Sequence, residues 1–147
     1  MNHEPLTCAI IGHLVGDYLL QNDWMACNKK AAKLPPGYCD PWCYICFFNL
    51  PCFVHCWLWT LAVCFFAGWW NPLAVGVLFL THYIQDRTYL INRWMMLRWK
   101  DQRRFMACDD FDLTDMRVVP GLGPWSVIVV DNVWHLVTIW AVWKWIA

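Results

Sequence analysis

A chain of 147 residues suffices for one domain with a real core and is short for two. Its composition, 60% hydrophobic and 15% charged with 13 Trp, is abnormal for a soluble protein and points first to a membrane. A formal net charge of zero argues against a nucleic-acid partner recognised through a basic surplus, because neutralising phosphates needs one.

The first apolar segment, about residues 6–21, lacks the basic leader of a cleaved signal and runs on into Asp17 and Gln21. The second, about 52–70, has roughly the 20 residues that a bilayer core requires. After it "GWWNP" reads as a tight turn with an interfacial Trp pair, which makes the third segment, about 72–87, antiparallel to the second. The first and third segments are short and need their flanks to complete a crossing. The stretch "RTYLINRWMMLRWKDQRRFM" mixes Arg with Trp, Leu and Met, so a basic interfacial helix is expected over about 88–106, among lipid headgroups. The fourth segment, about 125–146, is again long enough to span. The expected fold is all-α, an integral membrane four-helix up-down bundle forming one domain over 1–147.

Charge sets the orientation. Lys29, Lys30, Lys33, Arg87, Arg93, Arg98, Lys100, Arg103, Arg104 and Arg117 all fall in the two long connections, and Lys144 alone lies on the other side. By the positive-inside rule the long connections are cytoplasmic and both termini lie outside, in a bacterial inner membrane.

Polar residues recur inside these apolar segments. His13 and Asp17, and again His82 and Asp86, form H-x-x-x-D, whereas Asp131 and His135 form the reverse. Residues four apart share a helix face. Reversal on the last helix is what an antiparallel bundle needs to hold all three Asp at one level and all three His at the next. His55 adds a group from the remaining helix at similar depth.

Imidazole and carboxylate together suit Zn, Mn or Fe, and four His with three Asp exceed one tetrahedral site, so one or two transition-metal ions are expected. The metal ligands are then His13, Asp17, His55, His82, Asp86, Asp131 and His135. The expected chemistry is hydrolysis of a lipid-linked or phosphorylated substrate by metal-activated water. Asp23 or an unligated Asp would be the general base, and Arg87 and Arg93 would hold an anionic group. Three other readings remain open. The polar residues can serve as interhelical hydrogen-bond partners, as an ion or proton conduit, or as part of a non-enzymatic factor that binds a host membrane partner. A haem held by two His leaves three Asp unexplained.

Two further motifs carry less. "CDPWCYIC" spaces Cys39, Cys43 and Cys46 as in radical S-adenosylmethionine enzymes, but the chain has no room for their barrel. "DFDLT" resembles a phosphatase signature without the preceding buried strand that would present its Asp110.

"HLVGDYLLQNDWMACNKK", "VHCWLWTLAV", "THYIQDR" and "DNVWHL", in this order, resemble a family of small prokaryotic and phage membrane proteins catalogued only as a domain of unknown function. The resemblance implies a multi-pass membrane protein of bacterial or phage origin and brings no reaction with it. Its recurring polar positions fall here on His13, Asp17, Gln21, Asp23, His55, His82, Asp86, Arg87, Asp131, Asn132 and His135.

Overall fold

Glycines let the first helix lie directly on the backbone of another. A Cβ on Gly12 would stand 2.7 Å from Ala62 O and from Val63 Cα, and one on Gly16 would stand 2.7 Å from Trp59 Cδ1. "GHLVG" is thus a G-x-x-x-G stripe, in which missing side chains allow an approach that any Cβ would block.

The computed structural model describes residues 4–29, 48–88, 90–91, 94 and 126–147. All regular structure among them is helical. Helix α1 spans Glu4–Leu14 and passes into a π-helical turn, Val15–Leu19. A short α2 spans Asp23–Asn28, α3 Leu50–Ala67, α4 Pro72–Arg87 and α5 Ser126–Trp145.

Local chemistry explains the boundaries. Asn22, Asn49 and Asn71 each precede a helix and accept from backbone N–H groups of Met25, Cys52 and Leu73, at 3.0, 2.8 and 2.9 Å. Each cap satisfies one donor that the first helical turn leaves without an intrahelical partner. Pro51 and Pro72 sit at first-turn positions, where the missing N–H costs nothing. Gly68, at φ 71°, ends α3 in the left-handed conformation, and Trp69 N–H closes back on Cys64 O at 3.1 Å.

Contacts between helices give their directions. Phe53 and Phe79 stack edge-to-face with ring centroids 5.4 Å apart, while Asn49 N–H donates to the Tyr83 hydroxyl, so α3 and α4 run antiparallel. Asn71 reaches Ile146 O and Gln85 reaches Thr138, which sets α5 antiparallel to α4. Gly12 against Ala62 and Gly16 against Trp59 set α1 antiparallel to α3.

The interior has two halves. Towards the Gly68 turn, Ala9, Trp59, Val63, Leu78, Ile139 and Val142 form an apolar core. Beyond Trp59 the buried residues include the polar His13, His55, His82, Gln85, Asp86, Arg87 and His135. Outside, large apolar side chains stand exposed, among them Leu19 at 76%, Phe65 at 71% and Leu73 at 61%.

Four crossings were expected. One described helix, Leu50–Ala67, is long and apolar enough to cross a membrane by length and composition. Helix α4, with 16 residues, is about 24 Å long at the usual rise and falls short of a hydrocarbon core of about 30 Å. The expected interfacial helix lies outside the described residues except for Thr88, Leu90, Ile91 and Trp94, and Cys39, Cys43, Cys46 and Asp110 also lie outside them.

Candidate metal centre

Four donor atoms from α3, α4 and the π-turn converge in the polar half of the interior. His55 Nε2 lies 3.1 Å from His82 Nε2, 3.0 Å from Asp86 Oδ2 and 3.4 Å from Asp17 Oδ1. His82 Nε2 lies 3.2 Å from Asp86 Oδ2 and 3.9 Å from Asp17 Oδ1. Donors bound tetrahedrally to one ion at about 2.0–2.2 Å stand about 3.3–3.6 Å apart, and the separations here, from 3.0 to 3.9 Å, lie on either side of that range. Asp17 Oδ1, His55 Nδ1, His82 Nδ1 and Asp86 Oδ1 are buried without a hydrogen-bond partner among the described residues. Of these, Asp17 Oδ1 belongs to the convergent four, and buried polar atoms normally have a partner, which a cation can supply.

A second set adjoins the first. His135 Nε2 lies 3.5 Å from Asp131 Oδ2, and donor atoms of Asp86, Asp131 and His135 all fall within 4.8 Å of one another. The His82 and His135 rings stack at 4.2 Å with planes 17° apart. The same 4.8 Å closeness holds for Asp17, His55 and His82, and for Cys56, His82 and Asp86. These buried His and Asp groups can hold a metal ion, and Asp86 belongs to two of the three sets.

His13 is placed differently. The Trp59 indole N–H, which can only donate, gives its hydrogen bond to His13 Nδ1 at 2.9 Å. The proton therefore sits on Nε2, which donates to Asn132 Oδ1 at 2.9 Å. Asn132 Nδ2 in turn donates to the Tyr18 hydroxyl and to Ile128 O, fixing the amide's orientation. Both His13 nitrogens are thus engaged. Asp17 Oδ2 lies 3.2 Å from His13 Nδ1, but a nitrogen already accepting from Trp59 has no proton to offer it. Asp17 sits in the π-turn, where the helix widens by one residue, a feature frequent at functional sites.

Lys29 enters from beyond α2. Its ammonium donates to Asp86 Oδ2 at 3.0 Å and to Gln21 Oε1 at 2.9 Å. Burial opposes the ammonium charge, but the carboxylates of Asp86, Asp131 and Asp17 outweigh it and hold the Lys29 pKa above its ordinary value.

Of the remaining expected site residues, Arg87 is buried directly after Asp86. Asp23 is exposed at the start of α2, and among the described residues it makes no hydrogen bond or ion pair within the cluster. Arg93 lies outside the described residues. Sequence reasoning missed Trp59, Lys29 and the glycine stripe. The stripe was readable as G-x-x-x-G, whereas no local pattern marks Lys29 as a residue that folds back on Asp86.

Compared with known family models, with curated proteins and with solved structures, the chain matches none.

Proposed function

We propose that the chain is a multi-pass membrane protein that holds one or two transition-metal ions between its helices and hydrolyses a lipid-linked or phosphorylated substrate. The observation that carries this reading is the convergence of His55 Nε2, His82 Nε2, Asp86 Oδ2 and Asp17 Oδ1 in the buried polar half, with Asp17 Oδ1 lacking a hydrogen-bond partner among the described residues. His55, His82 and Asp17 would hold one ion, and Asp86, Asp131 and His135 a second. His and carboxylate donors suit zinc, manganese or iron. Such an ion supplies Lewis-acid polarisation of a phosphoryl or carbonyl oxygen.

The protein's own groups supply the rest. Lys29 and Arg87 offer positive charge beside Asp86 to orient an anionic group, with Arg93 as a further candidate. His13, locked by Trp59 and Asn132, holds Asp17's helix in register. An apolar groove between α4 and α5, lined by Val77, Leu90, Trp134 and Val142 and bordered by Gln85, gives an acyl chain a place beside the site.

The membrane component rests on an inverted distribution of polarity. Charged groups lie inside while Leu19, Phe65, Leu73 and Trp145 face outwards, the arrangement that lipid favours and water does not. The excess of Lys and Arg in the long connections supports a cytoplasmic side for these and termini outside.

A second reading rests on Lys29. Its ammonium already compensates one carboxylate, as a metal-free buried ion-pair network or a proton conduit would require. A panel of lipid phosphates and soluble phosphoesters, offered to metal-resupplied protein in detergent, separates the two. Turnover abolished by chelation and by Asp86→Asn supports hydrolysis. Absence of both bound metal and turnover after resupply favours the non-enzymatic reading.

A further inference from the structure

Cys56 lies at the wall of the same cluster, one residue after His55 on α3, and is fully buried. Its Sγ lies 3.9 Å from Cys52 Sγ, and these two side chains pack with Tyr83 in a small apolar group. A buried cysteine in such company ordinarily acts as a small hydrophobe. Two observations separate Cys56 from that role. Its sulfur and donor atoms of His82 and Asp86 fall within 4.8 Å of one another, in a fully buried set. On one of those residues, Asp86 Oδ1 is buried and lacks a hydrogen-bond partner among the described residues, so that carboxylate has a free oxygen for an ion.

We propose that Cys56 is a metal ligand, which makes the centre a mixed thiolate, imidazole and carboxylate site selective for zinc, ferrous iron or cobalt over manganese and magnesium. This inference rests on the metal reading above and narrows it. Thiolate sulfur prefers borderline and soft ions, whereas magnesium and manganese favour oxygen donors. The thiolate is the ligand form, so uptake of the ion transfers the Cys56 proton to solvent, leaving sulfur, imidazole and carboxylate to share the ion's charge. Cys52, a helical turn away, is outside the set and serves as the internal control.

The test uses cobalt as probe in the full-length chain with Cys39, Cys43 and Cys46 changed to Ser, so that a signal from those thiols is removed. Bound cobalt is expected to show a near-ultraviolet sulfur-to-metal charge-transfer band that Cys52→Ser keeps and Cys56→Ser loses, while the visible ligand-field bands from His and Asp persist in both. Because Cys56→Ser can also perturb packing, zinc-edge absorption on the Cys56-containing chain gives an independent readout. It is expected to find a sulfur at about 2.3 Å beside nitrogen and oxygen at about 2.0–2.2 Å. Cobalt or zinc bound with nitrogen and oxygen alone overturns the role of Cys56 and leaves the metal reading intact. A chain that binds neither ion overturns both.

Discussion

The Trp59 indole donates to His13 Nδ1 at 2.9 Å, and this bond gives the polar cluster its floor. The same ring lies 4.1 Å, centroid to centroid, from His82, so one buried side chain joins the apolar core to the donor atoms above it. Trp59→Phe removes the N–H and keeps most of the ring. It is expected to cost about 1–3 kcal/mol, because His13 Nδ1 is left buried without a donor. Trp59→Ala is expected to cost about 3–5 kcal/mol. Denaturant unfolding of the purified protein, followed by helical circular dichroism, checks both.

The contact between α1 and α3 admits no side chain at two positions. Gly12→Ala drives a methyl group into the backbone at Ala62 and Val63, and Gly16→Ala drives one into Trp59. Each is expected to cost about 1–3 kcal/mol through overpacking. Both are also expected to weaken metal binding, since Asp17 must retreat from His55 when α1 moves outwards. Gly76 has nothing within 4 Å of a built Cβ, so Gly76→Ala is expected to be neutral or stabilising by up to about 1 kcal/mol. Unfolding midpoints of the three variants measured side by side would expose an error in the helix pairing.

Much of this arrangement was legible in the sequence. The apolar runs and the turn between them put segments at 52–70 and 72–87, and the helices found there are Leu50–Ala67 and Pro72–Arg87, with Gly68 ending α3 before the expected 70. The reversed order of Asp131 and His135 anticipates an antiparallel α5, which stacks His135 on His82. Other features depend on long-range packing that no local pattern carries. The π-turn at Asp17 and the return of Lys29 to Asp86 are of this kind. Spacing alone put His13 with the ligands, because a period of four residues reports a shared face and not what that face meets. The structure engages both of its nitrogens with Trp59 and Asn132.

Lys29 competes with any cation for Asp86 Oδ2. Lys29→Met is therefore expected to tighten metal binding on the order of tenfold, a conservative figure for removing one adjacent positive charge. Its pKa is raised in the fold, so its ion pair is fully present below the ordinary lysine value and is lost only as pH rises beyond that value, through the higher folded pKa. Across neutral pH the Lys29→Met effect should hence be constant, while binding in both proteins weakens towards acid as imidazoles take up protons. Metal titrations at several pH values test this, and weaker binding by Lys29→Met would make Lys29 a supporting group instead of a competitor.

His13 supplies a contrast to the ligands. His13→Gln retains polar atoms for Trp59 and Asn132 and is expected to keep the metal complement of the wild type, with affinity reduced by about 10–100-fold at most, as for other groups that orient ligands. His55→Ala is expected to lose bound metal from the His55, His82 and Asp17 set altogether. Equilibrium dialysis of the two variants distinguishes positioning from ligation.

The most direct measurement is the metal content of detergent-purified protein, prepared without chelator and resupplied with metal, for wild type beside His82→Ala and Asp131→Ala. The expected result is about one or two equivalents of a transition metal in the wild type, lost in His82→Ala and at least halved or lost in Asp131→Ala, with helical content unchanged. A folded wild type that remains free of metal after resupply would contradict the metal centre and leave the buried His, Asp and Lys29 as an ion-pair network.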